Sequence, residues 1–226
     1  MGLAVLMDPI SLTCDLVTWE GQYRMAKVLA RKVRASGYRP DLVIAVGRGG
    51  YIPARILCDL LLQNMLTSLK VEHWGMAAQK KEEVVIRFPL CADIRGKRVL
   101  IVDDVTDTGD TLEAVVRYVK GFDPLEVRTA VLQHKEVSSF VPDYFALVCP
   151  IWRWIVYPWA LHEDLVGFSK RVLAEAGSLT LEGLKGELAG KYRLTADDED
   201  LSLALEDLLS SGEIVKEGSR YLKKRE

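Results

Sequence analysis

Short apolar segments that end at polar or glycine-rich residues constrain the fold of this 226-residue chain most strongly. They lie at residues 41–46, 84–88, 99–102, 127–132 and 144–148. Because they are mostly continuous rather than alternating, they are typical of strands that are covered on both faces of a parallel sheet. Helical patterns precede the first segment at residues 19–35 and lie between later segments at residues 53–62 and 111–120. This alternation predicts an α/β domain with a mostly parallel, five-stranded sheet flanked by helices.

The last part of the chain has a different pattern. Helical segments follow one another at residues 165–176, 181–189 and 198–210, and residues 212–222 predict a hairpin that turns at Glu217-Gly218. We therefore expect two parts, residues 1–164 and a small, mainly helical module at residues 165–226. A winged helix is one form that this module can take.

Composition excludes several classes of protein. The formal net charge of −2 and the pI of about 6.0 give no field that favours nucleic acid or an anionic membrane, so we expect neither partner. No apolar run reaches the length of a bilayer span. The four cysteines lack the short spacing of a zinc site, which fits unpaired thiols and a cytoplasmic location.

Residues 99–111 combine an apolar strand, two adjacent acids and a short Asp-Thr-Gly-Asp-Thr turn before a helix. The strand delivers Asp103 and Asp104 to the carboxyl edge of the sheet, where open α/β folds bind ligands. The amide groups and the dipole of the helix N-terminus favour phosphate, and Gly109 allows a close approach. The acidic pair then suits sugar hydroxyls and Mg²⁺, which prefers oxygen ligands. The alternative is an Asp-rich turn that only caps the helix.

This segment resembles the signature of type I phosphoribosyltransferases that binds phosphoribosyl pyrophosphate (PRPP), and the resemblance covers roughly residues 16–160. It implies that Asp103 and Asp104 hold the ribose hydroxyls of PRPP, with Mg²⁺ bound mostly through PRPP itself. It also implies that Asp107 lies near N7 of a purine base and assists proton transfer, so these three acids are the expected catalytic residues. The residues expected to wrap the 5′-phosphate are Thr108, Gly109, Asp110 and Thr111.

A second glycine-rich turn, Gly47-Arg48-Gly49-Gly50, follows the first predicted strand of the sheet. Its amide groups and single guanidinium suit a pyrophosphate, although glycine-rich strand ends are often only turns. The turn resembles the pyrophosphate loop of the same family, which implies that Arg48 and Gly49 bind PRPP. Such loops often hold a cis peptide bond, for which the bond between Gly47 and Arg48 is the candidate here.

Two further segments are candidates for binding the base. Lys135 follows a predicted strand, and a solvated lysine is the plain interpretation; the resemblance to 6-oxopurine enzymes implies that it donates to O6. The segment Trp-Ile-Val-Tyr-Pro-Trp from Trp154 resembles the hood of xanthine–guanine enzymes. That match implies that Trp154 stacks on the purine and that the backbone of Ile155 contacts its edge. We expect Trp152 and Trp159 to be packing residues instead.

Residues 73–83 occupy the position of a mobile loop in the family. Such a loop would close over PRPP and exclude water. A polar connector without a catalytic role is the other interpretation.

The resemblance implies a glycosyltransferase of purine salvage that transfers the 5-phosphoribosyl group of PRPP to N9 of a purine base. The products are a nucleoside monophosphate and pyrophosphate, and a homodimer is the expected assembly. Lys135 favours the 6-oxopurines hypoxanthine, guanine and xanthine, because adenine offers an amino donor where these bases offer O6. A helical C-terminal extension on such a core resembles a crenarchaeal branch that uses adenine, so an adenine phosphoribosyltransferase forming AMP remains open.

A PRPP-sensing transcription regulator is the rival from another class. Its recognition helix would be residues 198–210, which contain Glu199, Asp200, Glu206 and Asp207 and neither lysine nor arginine. Because binding in a DNA groove needs cations that displace counterions from phosphate, this composition favours the enzyme.

Overall fold

The computed structural model describes residues 12–74 and 80–224. The helices are α1 (Trp19–Ala35), α2 (Tyr51–Leu61), α3 (Asp110–Lys120), α4 (Leu161–Ala176), α5 (Leu181–Tyr192) and α6 (Asp198–Ser210). The strands are β1 (Cys14–Leu16), β2 (Leu42–Gly47), β3 (Leu66–Trp74), β4 (Lys80–Phe88), β5 (Arg98–Thr106), β6 (Glu126–Lys135), β7 (Tyr144–Cys149), β8 (Trp154–Val156), β9 (Ser178–Thr180), β10 (Ile214–Glu217) and β11 (Arg220–Lys223).

The described residues form two compact units. The first, which we call the sheet unit, comprises residues 19–74 and 80–152. The second, the helical unit, comprises residues 12–18 and 153–224.

The sheet unit contains one sheet with the strand order β4-β3-β2-β5-β6-β7, in which only the β3–β4 pair is antiparallel. The carboxyl ends of β2, β5, β6 and β7 therefore meet at one edge. The order reverses between β2 and β5, since β2 is followed by β3 on one side and β5 by β6 on the other. This switch point is where open α/β sheets bind ligands.

The mostly parallel sheet is confirmed, but it has six strands rather than the five expected from the sequence. The additional strand is β3, in which Leu69 and Val71 are buried while Lys70 and Glu72 are partly exposed. This alternation hides the strand from a search for continuous apolar runs. The ends of the segment predicted as a mobile loop belong to β3 and β4, and its residues 75–79 lie outside the described residues. Closure of that loop stays a prediction.

Both faces of the sheet are covered, as continuous apolar strands require. Every residue of β2 is buried. On one face Leu112, Val115 and Val119 of α3 share a core with alternate residues of the strands, such as Ile44 and Ile101. Helices α1 and α2 pack on each other, α2 packs on β2 and β5, and α1 packs on β6 and β7. The bounds of α1 agree with the predicted helix at residues 19–35.

The helical unit contains the predicted helices and the terminal hairpin, although α4 begins at Leu161 and α5 continues to Tyr192. Strand β1 pairs in parallel with β8, and a second small sheet has the order β10-β11-β9. Helix α4 packs on α5 and α6 around fully buried side chains such as Leu165 and Phe168. The winged-helix form of this module stays a prediction. Among the described residues, no helix has both the length and the apolar character of a membrane span.

Candidate active site

The acidic pair lies near the carboxyl end of β5, at the switch point of the sheet. Asp103 is buried and Asp104 is partly buried. One carboxylate oxygen of Asp103 accepts the backbone N–H of Asp104 at 2.9 Å, and one of Asp104 accepts the N–H of Val105 at 2.8 Å. Burial, followed by the negative charge of Asp104, raises the pKa of Asp103 well above its ordinary value of 3.8. A group that binds through hydroxyls or a cation would relieve this unfavourable arrangement.

The glycine-rich turn after β2 lies directly against the acidic pair. A Cβ atom on Gly49 would be 2.3 Å from a carboxylate oxygen of Asp104, and one on Gly50 would be 2.4 Å from the carbonyl oxygen of Val102. A side chain at position 49 would therefore displace the Asp104 carboxylate, and one at position 50 would require the backbone of β5 or β2 to move. The expected cis peptide bond between Gly47 and Arg48 is present, and the Arg48 side chain is exposed.

The turn between β5 and α3 combines features that favour an anion, so we refer to it as the anion-binding loop. Gly109 is the N-cap of α3, with φ of 99° and no side-chain cap. The alternative of an Asp-rich turn that only caps the helix, with Asp107 or Thr108 as the N-cap, is thus wrong. The first amide groups of α3 have no acceptor within their own helix, and the helix dipole adds positive potential there. Asp110 and Thr111 form the first turn of α3, and Thr108 Oγ1 donates to Asp110 Oδ2 at 2.7 Å.

The connection between β6 and β7 holds this anion-binding loop, a feature that the sequence did not reveal. The backbone N–H of Ser139 and its hydroxyl both donate to the carbonyl oxygen of Thr108, each at 3.0 Å. A Cβ atom on Gly109 would lie 2.7 Å from the backbone nitrogen of Phe140. Glycine is therefore required at this position by its positive φ and by its close neighbour.

Asp107 follows β5, and Lys135 is the last residue of β6. Lys135 Nζ lies 3.1 Å from Asp107 Oδ2, and the side chains of Lys135 and Asp107 are only 2% and 9% exposed, respectively. Burial lowers the pKa of Lys135, and the negative charge of Asp107 opposes this effect. The interpretation of Lys135 as a solvated loop residue is wrong. The structure brings a buried cation and a buried carboxylate together at the carboxyl ends of the neighbouring strands β6 and β5.

Trp152 also belongs to this cluster, which corrects the expectation that it only packs. Its Nε1–H donates to Asp107 Oδ1 at 2.7 Å. The ammonium of Lys135 lies 4.3 Å from the centroid of the Trp152 ring. The signal that could have found it is its position shortly after β7, because residues that follow parallel strands collect at one edge of the sheet.

Buried polar atoms without partners mark the same ends of β5 and β6. Among the described residues, Thr106 Oγ1, Gln133 Oε1 and His134 Nδ1 have no hydrogen-bond partner. Most buried polar groups in proteins are hydrogen-bonded, so three exceptions at one sheet edge are unfavourable for stability. Such exceptions are expected where function rather than stability determines the residue.

Trp154 and Ile155 lie in the helical unit, on β8. Trp154 Nε1 donates to Asp164 Oδ1 at 2.9 Å, and Ile155 is buried. The Asp164 carboxylate is also buried, at the start of α4. Their contacts with a base stay predictions. In the same unit, the rings of Tyr157 and Trp159 stack with centroids 4.6 Å apart, which agrees with a packing role for Trp159.

The carboxylates available to a metal ion are few. Among the described residues, no group of three or more His, Cys, Asp or Glu side chains is placed to hold one. Asp103 and Asp104 could supply two oxygen ligands. This set fits Mg²⁺, which usually keeps waters and takes phosphate oxygens in addition to one or two carboxylates.

Comparison with known proteins relates this geometry to a family. Residues 16–164 match the phosphoribosyl transferase domain family. A crystal structure of a purine phosphoribosyltransferase from Pyrococcus horikoshii is 38% identical, with a TM-score of 0.57 over 66% of this chain and 94% of that one. The hypoxanthine-guanine phosphoribosyltransferase of Saccharomyces cerevisiae is 28% identical, over 72% of this chain and 91% of the yeast protein. The xanthine-guanine phosphoribosyltransferase of Nitratidesulfovibrio vulgaris is 29% identical, over 63% of this chain and 82% of that protein. With the match spanning more than half of its length, this chain belongs to the phosphoribosyltransferase family.

Proposed function

We propose that this protein transfers the 5-phosphoribosyl group of PRPP to N9 of a 6-oxopurine, forming a nucleoside monophosphate and releasing pyrophosphate. The observation that carries the proposal is the buried pair of Asp107 and Lys135, 3.1 Å apart, at the same sheet edge as Asp103 and Asp104. This arrangement supplies an acceptor and a donor for the edge of a base, next to carboxylates for a sugar.

PRPP would bind across the switch point of the sheet. Asp103 and Asp104 accept hydrogen bonds from the ribose hydroxyls. These bonds would offset the desolvation and the mutual repulsion of two adjacent carboxylates. The loop from Thr108 to Thr111 receives the 5′-phosphate at the N-terminus of α3. Arg48 and the amide of Gly49 bind the pyrophosphate, since the turn after β2 lies against Asp104.

Mg²⁺ would be held by the oxygens of PRPP, with Asp103 and Asp104 attracting it and orienting its waters. When bound, it would neutralise charge on the departing pyrophosphate. The protein itself contributes a carboxylate pair rather than a complete set of ligands.

The side chains of the protein act mainly by position and charge. The bond between N9 and C1′ forms while the bond between C1′ and the pyrophosphate oxygen breaks, and the pyrophosphate leaves with the electron pair. Positive charge on the ribose during this step is stabilised by Asp103 and Asp104. The proton on N7 passes to Asp107, which directly follows β5, the strand that carries Asp103 and Asp104. Holding the two substrates in this geometry supplies most of the rate.

Lys135 favours a 6-oxopurine over adenine. Its ammonium is a donor, and the 6-oxo group is an acceptor, whereas the amino group of adenine would face a second donor. A site with a buried donor discriminates strongly against a base that leaves it unsatisfied. The names of the yeast and Nitratidesulfovibrio relatives, which specify hypoxanthine, guanine and xanthine, support the same assignment. Stacking of the base on Trp154, its contact with Ile155, and a homodimer are further parts of the proposal.

The PRPP-sensing regulator has less support. In α6 the first turn carries Asp198, Glu199 and Asp200, and Glu206 and Asp207 are exposed further along the helix. A surface of this charge would repel the DNA backbone.

Nucleotide formation from PRPP and Mg²⁺ with hypoxanthine, guanine, xanthine and adenine, each alone, tests the proposal. Turnover of the oxopurines and not of adenine is the expected result. Lys135→Met should lower kcat/KM for the oxopurines by about 10- to 100-fold, the value of one hydrogen bond to a charged group. Lys120→Met, at an exposed lysine on α3, is the matched control. Turnover of adenine alone would contradict the role of Lys135. No turnover of any base, with PRPP still bound, would favour the regulator.

A further inference from the structure

The indole of Trp152 contacts the two side chains, Asp107 and Lys135, that the proposed function assigns to binding of the base. Its Nε1–H donates to Asp107 Oδ1 at 2.7 Å, while Lys135 binds the other oxygen of the same carboxylate at 3.1 Å. The Lys135 ammonium also lies 4.3 Å from the centroid of the Trp152 ring. Asp107 thus has one donor on each oxygen, and Lys135 has a carboxylate and an aromatic face.

Indole and purine share the features that this pair recognises. Each is a flat, fused five- and six-membered ring system with a ring N–H donor. In the proposed reaction the N7–H of the base donates to Asp107, which is the bond that Trp152 makes here. The O6 of the base accepts from Lys135, whose ammonium here lies over the indole face. Both ligands would need the same carboxylate and the same ammonium.

We propose that the Trp152 indole is an intramolecular stand-in for the purine, and that the base binds by displacing it from Asp107 and Lys135. This inference rests on the proposed function, because it takes the Asp107–Lys135 pair as the base site. Trp152 thereby becomes a residue that sets the affinity for the base.

The position of Trp152 in the chain is compatible with displacement. It lies between the end of β7 and the start of β8, outside any helix or strand, and its side chain is only partly buried. Within the described part of the chain, two polar contacts hold the indole: the hydrogen bond to Asp107 and the cation–π contact with Lys135. Side-chain rotation in a loop is a fast motion that does not require the sheet to change.

The stand-in also explains how a buried ammonium is kept without a base. Lys135 is 2% exposed, and burial disfavours its charge unless partners compensate. The indole face and the Asp107 carboxylate supply that compensation. A purine that replaces the indole would provide O6 in its place, so the ammonium keeps a partner in both states.

Fluorine NMR of protein labelled with 5-fluorotryptophan tests the displacement directly. Trp152→Phe assigns the Trp152 resonance by its disappearance. Hypoxanthine, a free 6-oxopurine that keeps its imidazole-ring N–H, should shift this resonance, whereas PRPP with Mg²⁺, which carries no base, should leave it unchanged. Calorimetry on the same sample establishes that each probe binds. Bound hypoxanthine without a shift of the Trp152 resonance would overturn the inference and leave the proposed function intact. If neither probe binds, the proposed function itself fails.

Steady-state kinetics give a second, independent test. Phenylalanine keeps an aromatic face for Lys135 but has no N–H for Asp107, so Trp152→Phe should weaken the competitor. We expect the KM for guanine to fall by about tenfold, with the KM for PRPP unchanged. Trp19→Phe, at a tryptophan that is 56% exposed on α1, is the matched control and should change neither constant. A lower kcat or a higher KM for guanine in Trp152→Phe would instead mean that the indole positions Asp107, and the competition would be refuted.

Discussion

Breaking the ion pair between Lys135 and Asp107 should cost far more stability than breaking an exposed pair such as that of Arg117 and Glu113. The side chains of Lys135 and Asp107 are 2% and 9% exposed, so solvent screens the 3.1 Å contact weakly. Removing one partner of a buried pair costs about 3–5 kcal/mol, because the remaining charge is left without compensation. We therefore expect Lys135→Met, which keeps an unbranched side chain, to lower the free energy of unfolding by about 3 kcal/mol.

Urea denaturation of a double-mutant cycle measures this coupling. Asp107→Asn removes the other charge, and the double variant Lys135→Met with Asp107→Asn should be more stable than the sum of the single effects by about 1–3 kcal/mol. Arg117→Met is the matched control: Arg117 and Glu113 form a 2.9 Å pair with side chains 77% and 56% exposed, so a change of about 0–1 kcal/mol is expected. A cost for Lys135→Met equal to that of Arg117→Met, or additive single effects, would refute the reasoning.

Three further predictions concern the acidic pair, its glycine neighbour and the helical unit. Burial and an adjacent carboxylate raise the pKa of Asp103, so this residue destabilises the folded state increasingly as the pH rises from 3.8 through the raised pKa. Asp103→Asn should therefore raise the free energy of unfolding at pH 7 by about 0.5–2 kcal/mol and remove this part of the pH dependence of stability. An unchanged urea midpoint would contradict the prediction. Gly49→Ala places a Cβ 2.3 Å from a carboxylate oxygen and should cost about 1–3 kcal/mol in urea denaturation, whereas the control Gly186→Ala, in open space on α5, should stabilise by about 0.5–1 kcal/mol. If the hydrogen bond from Trp154 to Asp164 holds the indole in place for the base, Asp164→Leu should raise the KM for guanine by about tenfold. Asp164→Asn keeps an acceptor and should raise this KM by less. Equal KM values in the wild type and both variants would show that the hydrogen bond has no such role.

The parts of the fold that the sequence predicts are those set by local chemistry. The continuous apolar run before Asp103 identifies β5, and the apolar spacing in residues 19–35 identifies α1 with the bounds that the structure has. The acidic pair followed by Asp107 and Gly109 specifies both the sheet edge and the helix N-terminus, because strand, turn and helix are consecutive in the chain. Strand β3 was missed because its apolar residues alternate with charged ones.

The features that sequence analysis did not find depend on contacts between distant segments. The strand order places β7 beside β6, which brings Trp152 to Asp107. The position of Trp152 after an apolar strand indicates only the sheet edge, and the partner at that edge depends on the strand order. Ser139 likewise reaches Thr108 only because the β6–β7 connection lies over the anion-binding loop. The resemblance to 6-oxopurine enzymes identifies Lys135 as a candidate for binding the base, whereas its burial and its ion pair are properties of the folded sheet.

The most direct test of the account is a calorimetric titration of PRPP, with and without Mg²⁺, into the wild-type protein and into the double variant Asp103→Asn with Asp104→Asn. If the carboxylate pair at the switch point binds the ribose and attracts the metal, the wild-type protein binds PRPP more tightly with Mg²⁺. The folded double variant, verified by its urea transition, then binds at least about tenfold more weakly, which corresponds to about 1.4 kcal/mol. Equal affinity in the two proteins, or no binding of PRPP by the wild type, would contradict the assignment of this site.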